Sequence, residues 1–108
     1  MRLLVEEARD ALRIWCAGEL EVGAVRSLLR LTGRLVRHGR PVVLDVGGIQ
    51  GIDVVAAAML IRVVRRLRQA GLPAVVAGAD EDLRETLDLI GGSDVLGRAA
   101  LDVSPGDP

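Results

Sequence analysis

The chain lacks most of the side chains from which catalytic and metal sites are built. It has one cysteine, one histidine and one tryptophan, and it has no lysine, tyrosine or phenylalanine. Catalysis by a nucleophile and base needs such groups close together, and a zinc site needs three or four ligands. Cys16 and His38 are far apart in the sequence, and neither has a second cysteine or histidine near it. We therefore expect no catalytic residue, no metal ion and no cofactor.

Charge and hydropathy are also without extremes. The formal net charge is −1, so no global field would draw the chain onto nucleic acid or an anionic membrane. Glu6 and Glu7 interrupt the amino-terminal apolar residues, and no apolar run approaches the ~18 residues of a membrane span. Cys16 lies in an apolar, strand-like run, which indicates a buried, reduced thiol. We expect a cytoplasmic protein that neither inserts into membranes nor binds nucleic acid.

The residues that are abundant favour strands covered by helices. Half of the 108 residues are apolar, and these are almost all aliphatic. Leu12, Ile14 and Cys16 alternate with other residues, which predicts a strand, and residues 3–5 are a short partner for it. The apolar runs 41–46 and 73–78 are bounded by proline and glycine, and we interpret them as buried strands.

Three segments have the helical period instead. Residues 21–38, residues 54–70 and a segment that starts at the acids 80–82 each carry an apolar stripe and end at glycine. Asp53 is placed to cap the second of these helices. A last strand is predicted within residues 95–101. The order β-β-α-β-α-β-α-β predicts an α/β domain over residues 1–103 with a mostly parallel sheet, followed by a flexible tail at 104–108.

Three stretches, in this order, resemble the STAS family. They are the turn Ala17-Gly18-Glu19-Leu20, the run VVLDVGGIQGIDVVAAAML from Val42 to Leu60, and the segment 83–96 with its leucines, Ile90 and Gly91. The resemblance implies a STAS-like mixed sheet of four to five strands with three main helices. It also implies a regulatory role, because the best-known members are anti-sigma factor antagonists.

One departure from the family pattern concerns its switch. Members of the antagonist group carry Asp-Ser-Ser-Gly at the start of the second helix, and a kinase phosphorylates the second serine. Asp53 matches the aspartate, whereas Val54 and Val55 occupy the serine positions and Ala56 the glycine position. Valine has no hydroxyl, so we expect no phosphorylation at Val55.

The resemblance implies a non-catalytic module that binds a protein through Gly51 and residues 53–56. Its partner would be an anti-sigma factor or a kinase-like regulator. The alternative is an accessory subunit of a larger assembly, such as a lipid-transport ABC complex.

Several features remain open on sequence alone. Val54 and Val55 could form an exposed contact, or they could pack under a loop formed by residues 47–51. Trp15 could mark a partner patch or a homodimer interface, or it could pack beneath a helix or the first strand. The glycines of 47–51 resemble a phosphate loop, but the Walker lysine is missing. The arginines on one side of the first helix are interpreted as a solvated face: Arg26, Arg30, Arg34 and Arg37.

Overall fold

The computed structural model describes residues 2–97, which form a four-stranded sheet and three α-helices. The elements follow one another along the chain as β1 Arg2–Glu7, β2 Leu12–Leu20, α1 Val22–His38, β3 Val42–Ile52, α2 Val54–Gln69, β4 Ala74–Ala77 and α3 Glu81–Leu89. In the sheet the strands lie in the order β1-β2-β3-β4. β1 runs antiparallel to β2, while β2, β3 and β4 are parallel. The predicted α/β class and mixed sheet are confirmed.

The core lies on the face of the sheet that the helices cover. The period-two prediction for β2 is confirmed, because Leu12, Ile14 and Cys16 all point into this core. The four arginines of α1 are exposed, as the predicted solvated face requires. The apolar stripes of the helices supply the opposing side chains: Val25, Leu28, Leu35, Leu60, Val63, Val64, Leu67, Leu83 and Leu87.

β3 is longer than the sequence suggested. Residues 47–51 were predicted to form a loop, but the strand continues through them to Ile52. A side-chain Cβ at Gly48 would lie 3.0 Å from Cβ of Ala17 and 3.2 Å from the carbonyl oxygen of Cys16. The glycine therefore lets β3 approach β2 closely, where the register between the strands shifts.

The predicted last strand does not form where it was expected to begin. Ser93–Val95 is a 3₁₀ turn, and only a single bridge joins Leu96 to Val76. Arg65 holds this turn by donating to the carbonyl oxygen of Gly91 at 3.0 Å and to Oδ1 of Asp94 at 2.8 Å. The hydrogen bond from Arg65 also lowers the pKa of Asp94. Residues 99–101 of the predicted strand and the predicted tail 104–108 lie outside the described residues.

The opposite face of the sheet carries a buried ion pair. Arg13 on β2 donates from Nη1 to Oδ2 of Asp45 on β3 at 3.1 Å, and Oδ1 of Asp45 accepts from the backbone nitrogen of Gly47 at 2.9 Å. The Arg13 guanidinium carbon also lies 4.8 Å from the ring centroid of Trp15. Trp15 is partly exposed, and its Nε1 donates to Oε2 of Glu6 on β1 at 3.2 Å.

Candidate partner-binding surface

The candidate surface lies where the parallel strands end. β2 ends at Leu20 and β3 at Ile52, and these two residues are paired neighbours. The carboxyl ends of parallel strands meet at one edge of a sheet, which is where α/β folds generally place their binding sites. α2 starts at Val54, two residues after β3 ends, so its first turn is presented at this edge.

Asp53 caps α2, as the sequence predicted. Its backbone is extended, and its Oδ1 accepts from the backbone nitrogens of Val55 at 2.8 Å and Ala56 at 3.1 Å. Its carbonyl oxygen accepts the first helical hydrogen bond from Ala57 at 2.8 Å. Two of the donors that a helix start leaves unpaired are thereby satisfied by one side chain. The first turn is fixed without help from a partner.

Val54 and Val55 project from this turn into solvent. Their residues are 57% and 60% exposed, whereas Ala56 and Ala57 are fully buried in the core. The strand formed by residues 47–52 therefore does not cover the two valines, which decides between the two packings left open by the sequence. Ala56 was expected in the contact surface, but its side chain faces inward and only its backbone nitrogen reaches Asp53.

A shallow depression borders the valine pair. It is lined by the ends of β2 and β3 together with Glu21 and Asp53. Gly51 lies in it beside Glu19, its partner in the parallel register, and a Cβ on Gly51 would lie 3.5 Å from Cγ of Glu19. Sequence reasoning missed Glu19 because its position beside Gly51 depends on the pairing of distant strands. Ala58, exposed one turn beyond Val54 and Val55, was also missed, although its helical spacing could have revealed it.

The other residues with reactive side chains lie away from this surface. Cys16 is in the core, where burial, followed by the nearby negative charge of Asp45, raises its pKa to about 12. His38 ends α1, and its Nε2 lies 3.8 Å from Oε1 of Glu7. Among residues 2–97 no three His, Cys, Asp or Glu side chains come together as metal ligands. In the same range no helix is long and apolar enough to cross a bilayer.

Comparison with known proteins gives a family and a set of similar folds. A family model described as the STAS domain matches residues 2–104. A comparison with curated proteins found no match. The solved structure of the anti-sigma factor antagonist SpoIIAA in its unphosphorylated form has a TM-score of 0.74 and 16% identity, and 99% of each chain is covered.

Two further structures extend this likeness. RsbS of Moorella thermoacetica has a TM-score of 0.69 and 20% identity, with coverage of 84% of this chain and 79% of that one. A crystal structure of Mglu has a TM-score of 0.64 and 26% identity over 72% of this chain. This chain spans only 20% of the length of Mglu, so a fold of this kind also occurs within a much longer protein.

Proposed function

This chain belongs to the STAS domain family, and we propose that it is a non-catalytic regulatory module that binds a protein through the start of α2. The proposed contact surface consists of Gly51, Asp53, Val54 and Val55. One observation carries the proposal: two adjacent valines are exposed on a helix turn whose polar groups Asp53 already satisfies.

The physical argument rests on what a partner gains there. The exposed portions of Val54 and Val55 would contribute on the order of 1 kcal/mol each when a partner covers them. Binding costs less when the surface is already ordered, and the cap on α2 provides that order. A partner therefore meets a small apolar contact that requires no rearrangement of this chain.

The flanking charges support a proposal for the chemistry of the partner. Glu19 and Asp53 line the depression beside the valines. Carboxylates around an apolar contact favour a partner with basic side chains at the rim of its own surface. The attraction between opposite charges raises the association rate and orients the partner as it binds. We propose an anti-sigma factor or a kinase-like regulator as that partner, by analogy with the anti-sigma factor antagonist SpoIIAA.

The valine at position 55 bears on how the interaction is regulated. A phosphoryl group at this point would add about two negative charges to the contact and oppose binding. Val55 has no hydroxyl to accept one. In our proposal the surface stays competent to bind at all times, and control of the complex rests with the partner's abundance or state.

Quantitative co-purification from the native cell tests the proposal. Wild type is compared with Val55→Asp and with Leu89→Asp, a matched control because Leu89 is a largely exposed apolar residue at the end of α3. We expect wild type and Leu89→Asp to recover an anti-sigma factor or kinase-like protein, and Val55→Asp to lose at least nine-tenths of it, roughly the effect of 1.4 kcal/mol.

Two results would contradict this assignment. Equal recovery of such a partner by all three proteins would place the contact elsewhere. Recovery of membrane transporter subunits in its place would identify the chain as an accessory subunit of a transport assembly.

A further inference from the structure

β1 is an edge strand of the sheet formed by the described residues. Among residues 2–97 its only pairing partner is β2, whereas the outer side of β4 carries the bridge from Leu96 to Val76. Edge strands leave a row of backbone donors and acceptors that can pair with another chain. Here that row is flanked by apolar side chains, since Leu4 is 64% and Val5 51% exposed.

The two faces of β1 differ in their surroundings. Leu3 and Val5 are paired with Cys16 and Ile14, so they point to the helix-covered face. Leu4 is paired with Trp15, so Arg2, Leu4 and Glu6 point to the opposite face. Residues directly opposite each other in a sheet share a face. When β1 pairs antiparallel with a second β1 in a continuous sheet, paired positions must therefore be both even or both odd.

One register that satisfies this rule pairs residues 2–6 with one another, so that opposite charges and apolar side chains face each other. In this register the twofold axis passes between the two Leu4 residues. Arg2 then lies opposite Glu6 of the partner subunit, and Glu6 lies opposite Arg2 of the partner subunit. Leu3 then lies opposite Val5 of the partner subunit, and the two Leu4 side chains meet at the axis. The register centred on Val5 sets Leu3 and Leu4 against glutamates, because Glu6 and Glu7 end the strand. The register centred on Leu3 sets Arg2 against Leu4 and leaves both charges unmatched. Charge and hydropathy thus select the register centred on Leu4.

We propose that the protein forms a symmetric dimer in which β1 pairs with β1 of a second copy in this register. The dimer joins the two four-stranded sheets into one. On one face, the two Leu4 side chains extend the apolar surface that Trp15 begins. On the other, Leu3 of the partner subunit lies beside Val5 and covers the groove between β1 and α1, which is lined largely by Val5, Leu12, Leu31 and Leu35.

This interface is separate from the surface at the start of α2. β2 lies between β1 and β3, so the two surfaces are about two strand spacings, or roughly 10 Å, apart in the sheet. The dimer therefore presents two copies of the Val54–Val55 contact, and its formation does not depend on the function proposed for that contact.

Charge reversal followed by mixing tests the register directly. Arg2→Glu places four glutamates at the interface, and Glu6→Arg places four arginines there. By sedimentation velocity, with the purification tag at the carboxyl end, we expect each variant alone to dimerise at least about tenfold more weakly than wild type. An equimolar mixture restores both opposite-charge pairs, so it should form heterodimers with near wild-type affinity.

Controls separate this effect from a change in folding. Arg30→Glu reverses an exposed charge on α1 and should leave dimerisation unchanged. Leu4→Glu should abolish dimerisation. Because Leu4 is mostly exposed, the melting temperature of this variant should match that of wild type at dilutions where both are monomeric. The proposal is overturned by a wild-type chain that stays monomeric up to millimolar concentration. It is equally overturned by a dimer that Leu4→Glu leaves intact, or by a mixture of the two charge variants that does not recover.

Discussion

Arg13 and Asp45 form an ion pair across two parallel strands, and both side chains are nearly excluded from solvent, with exposures of 6% and 12%. The pair lies on the face of the sheet opposite the main core, and the second oxygen of Asp45 holds the backbone at Gly47. Gly78 has a positive φ of 75°, and a Cβ there would lie 2.9 Å from the same oxygen. A single carboxylate thus joins β2 to β3, and it lies so close to the turn after β4 that a side chain at Gly78 would clash with it.

Removing this carboxylate should be costly. We expect Asp45→Ala to lower the free energy of unfolding by about 3 kcal/mol, because buried Arg13 loses its ion pair with Asp45. Asp94→Ala is the matched control, since Asp94 pairs with Arg65 at the surface and should cost less than about 1 kcal/mol. Urea unfolding followed by circular dichroism measures both. Equal losses in the two variants would show that burial of the first pair contributes nothing.

The cap on α2 should make its own contribution. We expect Asp53→Ala to lower the free energy of unfolding by about 1 kcal/mol, because two backbone donors lose their acceptor. Asp53→Asn keeps a side-chain oxygen and should lose only a fraction of this. The same urea titration compares the two variants, and a larger loss for asparagine than for alanine would be inconsistent with capping.

Val55→Asp should separate folding from binding. A carboxylate in the first turn of α2 interacts favourably with the helix dipole, so the free energy of unfolding should change by only about 0.3–1 kcal/mol. At an interface the same charge must be desolvated, which should weaken binding on the order of a hundredfold. Thermal melting and titration calorimetry with the identified partner measure the two effects. A variant that unfolds would mean that Val55 supports the core, despite its exposure.

Cys16 should make stability depend on alkaline pH. Burial raises the pKa of its thiol from about 9 to about 12, so the folded state favours the neutral form. The stabilisation is therefore fully present below pH 9 and is lost as the pH rises toward 12. We expect the stability of wild type relative to Cys16→Ala to fall across this window in urea titrations. Rapid labelling of the native thiol at neutral pH would contradict the burial.

No phosphate should enter the segment from Asp53 to Ala56. The position that carries serine in the antagonists holds valine here, and valine cannot accept a phosphoryl group. Incubation with a cognate kinase and ATP, followed by peptide mapping, should leave this segment unmodified. Val55→Ser restores a hydroxyl at an exposed position and is the informative comparison. Modification of that variant alone would show that the kinase still recognises the surrounding surface.

The sequence was most informative where the determinants are local. Asp53 and the helical period after it predicted both the start of α2 and its cap. The alternation through Leu12, Ile14 and Cys16 predicted which face of β2 enters the core. The cap depends on backbone nitrogens two and three residues after Asp53, and the alternation of apolar residues along β2 itself indicates which side chains are buried.

It was less informative where distant segments decide the outcome. Gly48 was interpreted as part of a loop, yet β3 continues through it. Glycine is needed at this position because Ala17 on the neighbouring strand leaves no space for a side chain. Val95 and Leu96 look like a strand start, but Arg65 on α2 holds this segment in a turn. Likewise, the exposure of Val54 and Val55 depends on the path that β3 takes before them. None of these relationships is encoded in local periodicity.

Trp15 has a practical consequence for optical spectroscopy of this protein. The chain has no tyrosine or phenylalanine, so all of its intrinsic fluorescence and aromatic near-ultraviolet absorption comes from this one indole. The indole lies beneath the Arg13 guanidinium and directly opposite Leu4 on β1. Its emission wavelength and quenching therefore report the solvation of the sheet face beside the edge strand. The start of α2 contains no fluorophore, so binding of a partner there has to be followed with an added label.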